Sequence, residues 1–239
     1  MNLIVDIGNT VLKAAVADGV TLGKTYRYQG EKGIDFIVGL VNDIHPEKTV
    51  VCSARALSDI EIRKLDESCA NLVVIDPQHK DTAHDAMLPE YITPASVASV
   101  IAVRHLFKGK GCSIFDFGTM ITSMFLDEAG RYLGGNISPG CTTRFRSISR
   151  YAKNLPLLTE TEDTQQTGNS LNSSIRSGVV SGIMFEIEGY MSLYPENMCV
   201  FTGGDAIYFA KRTKNSIFVV CNLVLMGLAL VAQNNENRL

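Results

Sequence analysis

Two phrases in this chain present carboxylates and glycines in the same order, half a chain apart. Leu3-Ile4-Val5-Asp6-Ile7-Gly8-Asn9-Thr10 runs into an apolar stretch and an Ala17-Asp18-Gly19 turn. Ser113-Ile114-Phe115-Asp116-Phe117-Gly118-Thr119 runs into a second apolar stretch and an Asp127-Glu128-Ala129-Gly130 turn. A β-branched and aromatic run ended by Gly beside Asn or Thr is a strand closed by a turn, so each phrase predicts strand, Asp-x-Gly turn, strand. The glycine admits a close backbone or ligand, and the amides and hydroxyls of the turn point outward as donors. Two such turns facing each other offer carboxylates for a hydrated cation and donors for a phosphate chain, which is nucleotide chemistry. One copy alone would read as an ordinary β-hairpin; the duplication points to a shared ligand. A repeat unit of this length is a folded half rather than a solenoid repeat.

The elements that must position these turns alternate along the chain. Gly33 to Val41 reads as a helix, Thr49–Cys52 and Leu72–Ile75 as short buried strands, and Ser58 to Ser68 as a charged amphipathic helix between them. That alternation predicts α/β architecture. Asp76 to Tyr91 reads as a polar surface loop whose His79 and His84 are solvated rather than metal-binding. Thr93-Pro94 opens a helix through Phe107, with Thr as cap and Pro in the first position. In the second half, Thr159 to Ser170 is acidic and aperiodic and predicts a mobile loop or lid. Ser173 to Tyr194 predicts a long helix, whose Gly178 and Gly182 would admit a second helix in the core or across a dimer interface. Met198 to Phe201 predicts a strand entering Thr202-Gly203-Gly204-Asp205, then a helix through Lys211, a strand Ile217 to Val220 and a helix Asn222 to Gln233. The Gly203-Gly204 turn reads as the nucleoside end of the site.

Bulk properties narrow the partners. A chain of 239 residues with 46% apolar and 20% charged residues is an ordinary globule, and its net charge of −3 gives no electrostatic reason to expect nucleic acid. Six scattered cysteines without a C-x-x-C pair read as buried thiols rather than a disulfide frame or zinc site. The apolar run Leu223 to Ala232 is far short of the roughly 20 residues of a membrane span. No basic leader precedes Asp6, so a cytoplasmic location is the expectation.

Asp6-x-Gly8-Asn9-Thr10-x-x-Lys13, Asp116-x-Gly118-Thr119, Gly134-Gly135-x-Ile137-x-Pro139-Gly140 and Thr202-Gly203-Gly204 resemble, in order, the motif set of type III pantothenate kinases. Asn222-Leu223-Val224-Leu225-x-Gly227-Leu228 also resembles that family's C-terminus. The resemblance implies membership of the acetate and sugar kinase, heat-shock protein and actin superfamily: two duplicated ribonuclease-H-like halves, here 1–110 and 111–239, with ATP in a cleft between them. It implies transfer of the ATP γ-phosphoryl group to the primary hydroxyl of pantothenate, giving 4′-phosphopantothenate, the first step of coenzyme A synthesis. It further implies magnesium, a monovalent cation (potassium or ammonium), and a homodimer whose sites are completed across the interface. By the same resemblance Asp6, Gly8, Asn9, Thr10 and Lys13 cradle phosphates, with Asp6 on magnesium. Asp116 matches the monovalent-cation ligand, Gly118, Thr119, Gly203 and Gly204 nucleotide contacts, and Tyr91 a substrate contact.

The acceptor side departs from that pattern. The family reads Tyr-x-x-Pro-x-x-Leu-Gly-x-Asp-Arg, its Asp taking the hydroxyl proton and its Arg the pantothenate carboxylate. Here Tyr91 and Pro94 anchor the same spacing, which puts Val100 at the base position and Ile101 at the arginine position. Leu171 stands where the family has a substrate-touching threonine. Valine accepts no proton, and loss of a positioned general base costs about 10²–10⁴ in rate. Val97, Val100, Ile101 and Arg104 form one packed helical face, while Asp81 and Asp85 upstream have no spacing that sets either at the reacting oxygen. Three readings follow: a pantothenate kinase with weakened acceptor chemistry, a non-catalytic relative that binds nucleotide as regulator or dimer subunit, or a kinase for another acceptor.

Overall fold

The N-terminal phrase folds as a hairpin because its apolar run is followed by a glycine that turns the chain. In the computed structural model, which describes residues 1–158 and 165–234, β1 (Asn2–Ile7) pairs antiparallel with β2 (Leu12–Asp18), setting Asp6 opposite Lys13. A turn at Gly19, in the left-handed region, leads to β3 (Thr21–Tyr28). There follow α1 (Gly33–Ile44), β4 (Lys48–Ser53), α2 (Asp59–Asp66), β5 (Leu72–Ile75), the short α3 (Asp81–Asp85) and α4 (Pro94–Leu106). β4 and β5 run parallel to β1, giving the order β3-β2-β1-β4-β5. Leu3 and Val5 pack on one face with Ile37, Leu40 and Val41 of α1 and Leu65 of α2, whereas Ile4 packs on the other with Val50 and Ala98 of α4. Buried on both faces, β1 is a continuous apolar run rather than an alternating one. Alternation then puts Asp6 on the Ile4 face, the face that α4 covers.

Both helix starts read from sequence carry their caps. Ser58 and Glu61 form a reciprocal capping box on α2, and Thr93 Oγ1 accepts from Ser96 N with Pro94 in the first helical position. The segment Asp76 to Tyr91 is more than a polar loop. It contains α3, and Asp76 is buried, its carboxylate accepting from Leu57 N at 2.9 Å and from Gln78 N, His79 N and the His79 ring. Burial pushes that carboxyl up, but these hydrogen bonds outweigh it and hold Asp76 below the usual carboxylate range. His79 is therefore a loop clamp rather than a purely solvated side chain, and among the described residues no cluster of three metal-ligating groups exists.

The second half repeats the plan. β6 (Cys112–Phe117) pairs with β7 (Met120–Leu126), which pairs with β8 (Tyr132–Pro139). After α5 (Cys141–Tyr151) and α6 (Leu171–Leu193), β9 (Met198–Gly203) lies parallel to β6; α7 (Ala206–Ala210) and the two-residue β10 (Phe218–Val219) follow. The order β10-β9-β6-β7-β8 is that of the first sheet read from the other end. α6 buries Ile175, Val179, Ile183 and Ile187, at helical spacing, on Phe115, Phe117 and Phe201. Of the acidic segment 159–170, residues 159–164 lie outside the described residues; Ser170 caps α6.

α8 (Leu223–Asn234) closes the chain but belongs to the first unit, which comprises Met1–Lys108 with the segment from Asn222 onward; Gly109–Cys221 form the second. The division at 110/111 drawn from sequence thus differs in the destination of this helix. Its Leu225, Leu228 and Ala229 join Ile4 and Ala98 in the core. Gly227 explains its own presence: a Cβ there would sit 1.8 Å from the Ala98 carbonyl oxygen, so α8 and α4 cross in near-backbone contact. The close approach expected at Gly178 and Gly182 is not made among the described residues. A Cβ on Gly178 would meet nothing within 4 Å, and one on Gly182 only Arg144 Nη1 at 3.8 Å.

Candidate active site

In the second unit three of the glycine motifs converge on one carboxylate. Asp116 is the fifth residue of β6, opposite Thr122 on one side and Thr202 of β9 on the other. Gly118 N donates to Met120 O at 3.2 Å and closes the turn, leaving Gly118 and Thr119 exposed. Gly140 is pressed against that turn: its N–H donates to Thr119 O at 3.0 Å, and a Cβ there would lie 2.1 Å from Gly118 O. Thr143 Oγ1 donates to the same Thr119 carbonyl at 2.6 Å. Gly203, at φ 94°, approaches from β9; a Cβ there would be 2.4 Å from Asp116 Oδ1 and 2.6 Å from Phe117 O. Asp205 N then donates to Phe117 O at 3.2 Å, fixing the Gly203-Gly204 turn beside the strand end. Burial raises the Asp205 carboxyl, and burial followed by the charge of Asp205 pushes the Cys141 thiol up to about 11, against the opposing pull of Arg144 and Arg212.

The first unit sets Asp6 at the equivalent place, fifth in its strand, opposite Lys13 on β2 and Cys52 on β4. Gly8 N donates to Val11 O at 3.1 Å, and Asn9 and Thr10 are exposed at the tip. Burial drives the Cys52 thiol well up, and the carboxylates of Asp6 and Asp76 add to it. Tyr91 lies outside α4 with 74% of its surface exposed. Val100 has no exposed surface, and Ile101 packs against the cluster that contains Ile4 and Cys52. Arg104, one turn on, is half-buried and donates from Nη1 to Ala86 O at 2.6 Å, tying the preceding loop to the helix. The packed face read from Val97, Val100, Ile101 and Arg104 is therefore real.

A model of the family described as type III pantothenate kinase matches residues 2–193. The chain belongs to this family. It is 32% identical to a type III pantothenate kinase of Bacteroides fragilis, aligned over all of both chains, and 34% identical to one of Flavobacterium johnsoniae over 98% of each. Among solved structures, it resembles a Baf family protein of Campylobacter jejuni (TM-score 0.67, 18% identity, 98% and 99% of the two chains). It also resembles the activator of 2-hydroxyisocaproyl-CoA dehydratase of Clostridium difficile with bound ADPNP (0.59, 14%, 100% and 97%). A ROK hexokinase of Thermus thermophilus matches with TM-score 0.55 at 14% identity over 99% of each chain. These likenesses establish the actin-like ATPase fold that the family resemblance implied.

For a type III pantothenate kinase the donor set is chemically apt. The carboxylates of Asp6 and Asp116 are hard oxygen donors, of the kind that suits magnesium and alkali cations. Magnesium keeps several waters and takes one or two carboxylates plus phosphate oxygens, so it needs no three-residue cage. The residues that sequence reading left out of the site are Gly140 and Thr143. Gly140 was visible within its motif, but its role as a buttress of the Gly118-Thr119 turn is a long-range contact. Thr143 had no signal at all.

Proposed function

We propose that the chain transfers the γ-phosphoryl group of ATP to the primary hydroxyl of pantothenate, opening coenzyme A synthesis in the cytoplasm, as a homodimer. The observation that supports it is the in-register duplication of the Asp-x-Gly turn in a member of this family. Phosphoryl transfer depends mostly on positioning and charge neutralisation, which is what two carboxylate turns are suited to supply. Asp6 would hold hydrated magnesium and Asp116 a potassium or ammonium ion. Magnesium held there would supply charge neutralisation at the phosphates. Gly8, Asn9, Thr10 and Lys13 present amides, hydroxyls and an ammonium to the phosphate chain. Thr119 with Gly118, and Gly203 with Gly204, hold the rest of the nucleotide, and Tyr91 flanks the acceptor.

Val100 supplies no base, and its complete burial means that no water reaches that position either. Transfer would rely on positioning and the metal ions alone, at a rate about 10²–10⁴ below an enzyme with a positioned base. The same burial favours a second reading, a nucleotide-binding subunit without catalysis. Phosphorylation of labelled pantothenate by the purified protein with ATP, magnesium and potassium separates the two. Slow turnover that falls a further 100-fold or so with Asp6→Asn supports the kinase. ATP binding without any labelled product, whatever the protein concentration, supports the subunit.

A further inference from the structure

The first sheet carries a row of side chains that crosses all five strands at the level of Asp6. Its Cα partners, from β3 at the edge to β5, are Arg27, Lys13, Asp6, Cys52 and Ile75. Residues paired directly across strands project from the same face. Packing identifies that face. Tyr26 and Tyr28, on either side of Arg27, pack with Leu3, Val5 and Ala14 on the α1 side, so Arg27 projects from the opposite one. Ala15, two residues from Lys13, packs on that opposite side with Ile4, Cys52 and Ile75.

The row changes character at Asp6. Cys52 and Ile75 are buried against Ala98 of α4 and Leu225 of α8, whereas Lys13 is half-buried and Arg27 exposed. The two cations therefore form an open ledge on one side of the carboxylate. Neither takes part in an ion pair among the described residues. Strands about 4.8 Å apart set the Cα of Arg27 about 10 Å from that of Asp6, a gap that a long arginine side chain and a bound phosphate close together.

The second unit supplies the contrast. Its corresponding row reads Ile137, Thr122, Asp116 and Thr202, with an apolar side chain and a hydroxyl where the first unit has Arg27 and Lys13. The shared frame thus does not require the cations; they are gathered at one carboxylate turn. In a nucleoside triphosphate the negative charge is gathered in the same way, on the phosphate chain. We propose that Arg27 is a further phosphate-binding residue, which with Lys13 takes the terminal phosphates of ATP beside Asp6. The proposal rests on the kinase reading above for the nucleotide and adds a residue from β3 to its site.

Calorimetric titration of the purified protein with ATP and with AMP, both with magnesium, tests it. Arg27→Gln should weaken ATP binding about tenfold to a hundredfold, the loss of one charge-assisted hydrogen bond, and leave AMP binding unchanged. Arg27→Lys keeps the charge without the planar fork and should recover part of the loss. Lys24→Gln is the control: it lies on the same strand but on the Tyr26 side, with its ammonium 4.9 Å from that ring, and should leave ATP binding unchanged. Melting temperatures should stay together, because Arg27 is an exposed residue of an edge strand. Equal losses for ATP and AMP would overturn the proposal, and so would no loss at all, the result for a cation that only guards the sheet edge. Selective loss of ATP binding in Arg27→Gln, by a protein that phosphorylates nothing, would keep the ledge and remove the kinase. Turnover with an unchanged KM for ATP in Arg27→Gln would remove the ledge and keep the kinase. A parent protein that binds no ATP would overturn both.

Discussion

The two carboxylate turns are one design carried out twice with different surroundings. Strand order, the position of the aspartate in its strand, and its antiparallel and parallel neighbours all correspond. The helices do not. In the first unit α4 and α8 cover the face of Ile4 and Asp6, so the carboxylate shares its side of the sheet with the helix that carries Val100 and Ile101. In the second unit α5, α6 and α7 pack on the Phe115 and Phe117 face, opposite Asp116, and two glycines press against the turn instead. The turn is thus the same in both units, while the packing around each copy differs. One unit closed its carboxylate face with apolar side chains, and the other locked its turn by backbone contact.

The contrast can be broken most sharply in α4. Val100→Asp with Ile101→Arg puts charges where Val100 is fully buried and Ile101, partly buried, packs against the core. An uncompensated buried charge costs about 3–5 kcal/mol, so the double variant should lose that much stability in urea unfolding rather than gain activity. A variant as stable as the parent would mean that this face opens to solvent.

Next in size is the helix crossing that closes the same face. Gly227→Ala should cost about 3 kcal/mol by forcing α8 away from Ala98, whereas Gly178→Ala, exposed and unobstructed, should be neutral or stabilising by about 0.5–1 kcal/mol. Equal effects would deny that small residues serve packing in one helix and space in the other.

The turns themselves come third. Gly203→Ala must adopt a positive φ and meet the Asp116 carboxylate, at a cost of about 2–3 kcal/mol. Gly8→Ala, whose Cβ would stand 3.0 Å from Val11 O, should cost about 1 kcal/mol, and thermal unfolding of the pair measures the difference in rigidity.

The smallest effect separates the units by pH. Glu61, in the α2 capping box, is hydrogen-bonded to Arg55, and its pKa falls from 4.5 to about 2, while α6 is capped by Ser170 and Ser173, which do not titrate. A carboxyl lowered in the folded state contributes stability above its unfolded pKa and loses it as pH falls through the folded value. Between pH 4.5 and 2 the parent should therefore lose about 1 kcal/mol that Glu61→Gln does not, in acid titrations of unfolding.

Much of this molecule is local and was legible as such. Hairpin turns at Gly8 and Gly118, the caps at Ser58 and Thr93, the strand ends at Asp6 and Asp116 and the departure at Val100 follow from period, turn chemistry and spacing within a few residues. β8 and α5 escaped notice as elements, because glycines and serines weaken the period of one and α5 carries just two buried residues, Cys141 and Phe145. What joins distant segments had no local signature: α8 returning to the first sheet, Gly140 and Gly203 meeting at one turn, Asp76 clamped by four donors, and Arg144 paired with Glu186 of α6. The amino-acid sequence by itself determined the repeated strands, their carboxylates and the family, because those depend on neighbours along the chain. Tertiary structure alone decided that Val100 is sealed and that Gly227 must be small, because burial and close approach depend on which faces meet.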